Sequence, residues 1–300
     1  MKRTGNRVEH KPSMTAAWTC TSRALSYFES EQPYRSGDSV APVLLPKFLF
    51  FLFKVKFFQN LFKYKIIPKG MYKYIIARTK YFDSVFENAV KNNFEQILIF
   101  GAGYDTRAIR LLSGNRAIKV FELDAPTTQT AKINQLKKRG VRIPPNAVFI
   151  PIDFNKESLK SRLTEAGFEK GRKSLFMLEG ITMYLQKESI DSTFRVMDEF
   201  SGFGSEIVFD YIYLNVLKRE NTLYGEKEIY KIVKSADEEW RYGIEKGRMG
   251  SFLKAYHFDL AEDLGPDDLE GMYFKDERSR KYGEINGTHA IAHAKKCADL

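Results

Sequence analysis

The sequence predicts an α/β fold: a doubly wound, mostly parallel sheet of seven strands behind an N-terminal helical segment. Three observations carry that expectation. From residue 95 onward, short apolar runs alternate with helical stretches, the pattern of β-α-β units. Runs such as QILIF and SLFML are continuously apolar, as strands buried on both faces are. The chain has 300 residues, 43% hydrophobic and 29% charged, which is enough to bury a core without staples.

Before residue 95 the spacing predicts helices over Thr19–Tyr34 and Phe48–Tyr64, and a third opened by Gly70 and running to Lys91. Residues 1–92 are therefore expected to form a helical cap on a sheet-bearing region over 93–300, one integrated unit. Strands are expected at Gln96–Phe100, Ala117–Leu123, Ala147–Ile152, Ser174–Leu178 and Glu206–Ile212. Helices at Tyr104–Leu112, Thr127–Lys138, Lys156–Ala166 and Lys187–Phe200 join them, with Gly114 and Gly140 as stops. Right-handed crossovers then cover the sheet on both sides. Phe252–Leu260 and the alternating Thr288–Ala294 are expected to close the sheet. The charged region 215–250 reads as helical or as an insert.

Lys and Arg total 48 against 38 Asp and Glu, a formal charge of +10. The excess is local. No acid lies between Asp38 and Asp83, whereas Lys47, Lys54, Lys56, Lys63, Lys65, Lys69, Lys73, Arg78 and Lys80 do. No recognised nucleic-acid module accompanies the charge, so no nucleic-acid partner is expected. The same stretch carries KFLFFLFKVKFFQNLFKYK. It has three readings: a lid over an apolar, anionic ligand, a membrane contact through residues 44–66, or core with lysines snorkelling outward. The missing acids favour the lid. Two cysteines, Cys20 and Cys297, and four histidines, His10, His257, His289 and His293, suggest no metal site and no disulfide framework. No secretory leader and no uncharged run of spanning length are legible. The expected location is cytoplasmic, or peripheral at a membrane.

Four strand ends carry chemistry. Gly101 and Gly103, in Phe100-Gly101-Ala102-Gly103-Tyr104-Asp105-Thr106, follow the first strand and open its helix, where backbone can approach a ligand. About twenty residues on, Glu122 and Asp124 end the second strand, where a carboxylate can accept from both hydroxyls of a ribose. Both point to one side by alternation, so spacing does not choose between them, and Asp124 also suits a helix cap. Asp153 and Phe154 follow the third strand. They suit an adenine ring, the carboxylate taking the exocyclic amine and the aromatic closing the pocket, or else a helix start. Glu179 follows the fourth strand and can face a cationic ligand or orient a substrate, with Tyr184 as a pocket wall or core residue.

These residues together resemble the leucine carboxyl methyltransferase family. GAGYDTRAIRL, FELDAPT, the Asp-Phe pair after strand three and LEGITMYL are similar to its motifs. RALSYFESEQPYRSGDSVAPVLL and ARTKYFD resemble its N-terminal segment and its Arg-bearing helix. The region from EEWRYG to GMYFK resembles its bacterial small-molecule O-methyltransferase branch. The likeness runs over roughly residues 20–295 and departs at 47–65, so the acceptor is not inferred from it. It implies a Rossmann-like class I fold and S-adenosylmethionine as cofactor. Carried over by position, Arg78 pairs with the methionine carboxylate and Gly101 and Gly103 give the backbone approach. Asp124 takes the ribose hydroxyls, Asp153 and Phe154 hold adenine, and Glu179 sits near the methionine amine.

Methyl transfer from a sulfonium is an in-line displacement, so an enzyme's main task is positioning and excluding water. A carboxylate acceptor is ionised at pH 7 and needs no base, whereas a hydroxyl does. With only His257 as a candidate base near a strand end, carboxyl methylation is expected ahead of hydroxyl methylation. Glu179 and Tyr184 are then positioning residues. Two other functions fit the same turn. One is a non-catalytic binding protein on this fold at an anionic membrane surface. The other is an NAD(P)-dependent oxidoreductase, which Thr106 in place of a third glycine disfavours.

Overall fold

The computed structural model describes residues 12–112, 117–153, 157–236, 239–275 and 282–297. Seven strands form one sheet: β1 Gln96–Phe100, β2 Lys119–Asp124, β3 Ala147–Pro151, β4 Ser174–Leu178, β5 Glu206–Ile212, β6 Phe258–Leu264 and β7 His289–Lys296. Their order is β3-β2-β1-β4-β5-β7-β6. Pairs among β1 to β5 are parallel, and β7 lies antiparallel between β5 and β6.

Alternation along the strands builds two cores. Ile97, Ile99, Leu175, Met177 and Val208 face one side of the sheet, and Leu98, Phe100, Phe176, Leu178 and Phe209 face the other. The first core is covered by α1 Met14–Tyr27, α2 Ala41–Leu44, α3 Lys47–Leu52, α5 Met71–Lys91, α6 Arg107–Arg110 and α7 Pro126–Lys138, and α4 Lys56–Leu61 joins α3 to the turn that carries Phe62. The second is covered by α8 Leu159–Glu165, α9 Lys187–Phe200, α10 Leu214–Leu217, α11 Glu226–Ala236 and α12 Met249–Lys254. A last helix, α13 Pro266–Tyr273, returns to the first side through Leu269. Burial on both faces is why β1 and β4 read as unbroken apolar runs.

The boundaries depart from the sequence expectation in instructive places. The first helix starts at Met14, where the Ser13 hydroxyl accepts from the Ala16 N–H at 3.1 Å, and it ends at Tyr27. Gln32–Tyr34 is a separate 3-10 turn, because Pro33 has no N–H for a helix interior. The expected helix Phe48–Tyr64 is two helices and a π-helical turn, Phe62–Ile66, broken at an extended Val55. A straight helix would turn Phe53 and Phe62 to opposite sides, since nine residues make about two and a half turns. The break lets both seat on α1. Their rings lie 5.1 Å apart, and Phe62 lies 6.0 Å from Trp18. The expected helix Tyr104–Leu112 is a single turn. The expected strand Phe252–Leu260 is instead α12 followed by β6, with His257 in a left-handed turn between them. Gly114 and Phe154 lie outside the described residues. Among the described residues no helix is long and apolar enough to cross a membrane.

Candidate functional site

The sheet order sets β1 beside β4, so crossovers leave these strands in opposite directions. A crevice at their carboxyl ends follows. Gly101 and Gly103 turn there with φ of +55° and +52°. The Gly103 N–H donates to Asp124 Oδ2 at 2.5 Å, and the Ala125 N–H donates to Oδ1 at 2.7 Å. Asp124 therefore does not cap α7, whose N-cap is Ala125. It ties the end of β2 to the glycine turn. Each of its oxygens keeps a second lone pair for a ligand hydroxyl. Burial pushes this carboxyl up to about 6, against the two backbone N–H groups.

Helix α1 lies on the turn. A Cβ on Gly103 would stand 2.9 Å from the Ala16 Cβ, at a φ that L-residues disfavour. Gly103→Ala is expected to cost about 1–2 kcal/mol from the left-handed backbone alone. Urea unfolding of the variant checks this, and an unchanged midpoint would contradict the contact.

Glu122 points to the same side as Asp124 but has a different partner. Its Oε2 accepts from the Lys132 ammonium at 2.5 Å, and both side chains are buried. Burial still pushes the Glu122 carboxyl up to about 7. Geometry thus separates two carboxylates that spacing left equivalent.

Between the glycine turn and β5 lies a buried ion network. Arg107, 0% exposed, donates through Nε to Asp83 at 2.8 Å and through Nη1 to Glu179 at 2.7 Å and to Asp105. Arg78, from α5, reaches Glu179 at 3.0 Å and Asp210 at 2.5 Å. Tyr74, one helical turn earlier, donates to the same Asp210 oxygen at 3.0 Å. The Gly180 N–H donates to the other oxygen at 2.5 Å. Gly180 has φ +68°, and a Cβ there would stand 3.2 Å from Arg78 Nη1. Arg110 pairs with Asp83 at 2.5 Å and with Asp38 at 3.5 Å, and Arg23 pairs with Asp38 at 3.4 Å. Five carboxylates (Asp38, Asp83, Asp105, Glu179, Asp210) face four guanidiniums (Arg23, Arg78, Arg107, Arg110), leaving one formal negative charge. Burial opposes charge on Asp105, yet Arg107, Lys132 and Arg23 hold it down at about 2. Burial likewise opposes charge on Glu179, and Arg107 and Arg78 outweigh it to keep that carboxyl below its ordinary range.

Of the residues singled out from sequence, Arg78, Gly101, Gly103, Asp124 and Glu179 converge here. Asp153 lies two residues past the end of β3, its backbone N–H donating to Glu157 at 2.8 Å. Tyr184 closes a half-buried 3-10 turn after Glu179 and packs on the second core. Phe154 lies outside the described residues. Sequence reading missed Asp105, Arg107, Asp210 and Tyr74. It also looked to the wrong histidine. His257 opens β6 at the opposite end of the sheet, exposed and 2.9 Å from Asp198. His289 opens the reversed β7 at the site end, its ring tilted 4.6 Å from the Tyr74 ring and edge-on 5.4 Å from Trp240. Burial, and then the charge of Arg78, push its imidazole down to about 3. A readable signal existed for Asp210: an acid inside the run EIVFDYI is a buried charge that needs a partner.

Comparison with known proteins gives this geometry a family. The family model described as leucine carboxyl methyltransferase matches residues 18–198. YktD of Bacillus subtilis (strain 168), named as an S-adenosyl-L-methionine-dependent methyltransferase, is 28% identical over 72% of this chain and 71% of its own. A relative of the same description from Mycolicibacterium gilvum is 34% identical over 46% of this chain and 55% of its own. The chain thus spans only about half the length of that mycobacterial relative. A solved structure described as a methyltransferase of Thermobifida fusca matches 96% of both chains with TM-score 0.57 at 14% identity, a likeness of fold. The chain belongs to the leucine carboxyl methyltransferase family, and it is an S-adenosylmethionine-dependent methyltransferase.

Proposed function

We propose that this methyltransferase acts on a carboxylate oxygen of a small, apolar acceptor. The observation that carries the proposal is that no proton acceptor is poised beside Glu179 among the described residues. His289 is pushed down to about 3 by burial and Arg78. Glu179 is committed to Arg78 and Arg107. Of the carboxyls that burial pushes up, Glu122 and Asp124 belong to β2, which is separated from β4 by β1, and Asp263, on β6 at the sheet edge, accepts from the Tyr211 hydroxyl at 2.7 Å. A carboxylate acceptor arrives already ionised and needs none of them.

The residues fit the cofactor chemically. S-adenosylmethionine supplies an electrophilic methyl on a sulfonium and carries one net positive charge, which complements the extra carboxylate of the ion network. Asp124 accepts from the ribose hydroxyls with its free lone pairs. Arg78 gives Nη1 to Asp210, while its buried Nε, 3.0 Å from Glu179, makes no hydrogen bond, which leaves the guanidinium donor capacity for the methionine carboxylate. Glu179 faces the methionine amine, Asp153 takes the adenine amine, and Gly101 and Gly103 permit the close approach. The chain's own contribution is to hold acceptor and methyl in line and keep water out. Residues 1–92 serve as the helical cap, through the seat of α1 on Gly103, and lend Arg78 to a cofactor site that otherwise lies in residues 93–300.

Calorimetry with S-adenosylmethionine, S-adenosylhomocysteine and NAD, followed by labelled-methyl transfer to paired apolar carboxylic acids and alcohols, tests this reading. Micromolar binding of the first two ligands and base-labile label on the acids are expected. Transfer to the alcohols alone would overturn the carboxylate assignment.

A further inference from the structure

The basic aromatic stretch has two faces, and only one of them belongs to the core. Phe53, Phe62 and Leu49 pack into the first core, Phe62 against Trp18 of α1, and Phe50 meets Phe28 just past that helix at 5.7 Å. The opposite stripes of α3 and α4 turn away from α1. Of the thirteen large hydrophobic residues exposed among the described ones, seven lie here: Phe48, Phe51, Val55, Phe57, Leu61, Tyr64 and Ile66. Phe57 is 69% and Tyr64 74% exposed. Every other exposed residue from Pro46 to Lys69 is a lysine or that proline. Lys47, Lys54, Lys56 and Lys65 form no ion pair with a described acid, whereas Lys63 and Lys69 are held by Glu29 and Glu228. Lys54 lies over the Phe50 and Phe51 rings, 4.8 and 5.6 Å from their centroids.

We propose that α3 and α4 dock on an anionic lipid bilayer, with the aromatic side chains in the interface and the free lysines on the headgroups. Core burial accounts for Phe53 and Phe62 but leaves Phe51 and Phe57 in water. A monomer rarely keeps such a contiguous apolar patch without a partner. The charge selects the partner. Lysines interleaved with aromatics and no acid complement a negative surface, and each lysine near such a surface is worth about fivefold in partitioning. The lysine stems also lie along the same apolar surface with their ammonium groups at its edge. Phe62, on the core side of the same segment, lies 6.0 Å from Trp18 of α1, and Ala16 of that helix lies against Gly103, so one helix backs both the stretch and the glycine turn. The docking itself does not depend on which acceptor is methylated.

Flotation of the full chain with vesicles of phosphatidylcholine, alone or mixed with phosphatidylglycerol, tests the proposal. The chain should float with the mixed vesicles only and be released by salt. The variants F51S/F57S and K54E/K56E should each lower the bound fraction about tenfold or more. Their melting temperatures and their affinity for S-adenosylhomocysteine should match the parent, which separates failure of docking from failure of cofactor binding. Three results would overturn docking. One is a parent chain that never floats. Another is both variants floating like the parent. The third is a parent dimer that F51S/F57S converts to monomer without vesicle binding, which assigns the face to self-association.

Discussion

Arg107→Ala is expected to be the most damaging single substitution in the molecule. The guanidinium is fully buried and touches Asp83, Asp105 and Glu179 at once. Removing it leaves three carboxylates close together with one fewer cation, and a buried charge that loses its partner costs about 3–5 kcal/mol. Against a total stability of about 5–15 kcal/mol, that is a large fraction. The melting temperature should fall by about 10 °C. Arg107→Lys should recover little, because one ammonium cannot span three carboxylates from the positions of a planar fork. The double variant R107A/D105N removes a charge of each sign and should be more stable than Arg107→Ala. A double-mutant cycle in urea measures this coupling. Additive effects in that cycle would mean that the Arg107–Asp105 pair carries no energy of its own.

The elements that sequence made legible are those fixed by local pattern. QILIF and SLFML are strands with the expected ends, because burial on both faces leaves no ambiguity of period. The glycine turn, the Glu122 and Asp124 pair and Glu179 could be placed at one crevice because strand ends in a parallel sheet meet there whatever the details, although only the family likeness chose Asp124 over Glu122. Arg78 is different. Only the family likeness pointed to it, since its partner Asp210 is 132 residues away in sequence and meets it through packing of α5 on the sheet. Arg107 was in plain view within the quoted motif, but only as part of the helix expected over Tyr104–Leu112. Only a three-dimensional arrangement shows that Asp83, Asp105 and Glu179 close around it. His289 was passed over because the reversal of β7 is needed to place the start of that strand at the site end. The split of α3 from α4 has the same origin. Phe53 and Phe62 are both drawn to α1, and tertiary packing overrides the helical run that joins them.

Asp124 should make cofactor affinity depend on pH in a direction that the apo fold does not share. Burial places its carboxyl at about 6 in the free protein. A carboxylate that accepts from ribose hydroxyls must be ionised, so affinity for S-adenosylhomocysteine should be full above that value. It should weaken about tenfold per pH unit below it, with proton release on binding near pH 6. The apo fold has the opposite sign. A carboxyl raised above its unfolded value of 3.8 contributes stability below that value and loses it as pH rises through about 6. Asp124→Asn should flatten the affinity profile between pH 5 and 7 and weaken binding at pH 8 by about 1.5–3 kcal/mol, or roughly ten- to a hundredfold. Glu122→Gln is the control. Its carboxylate is held by Lys132, so the step in affinity should persist. If instead Glu122→Gln removed the step and Asp124→Asn kept it, the ribose contact would belong to Glu122. Lys132 would then have to release its partner when the cofactor enters, and calorimetry of a Lys132→Met variant would show binding tightened rather than lost.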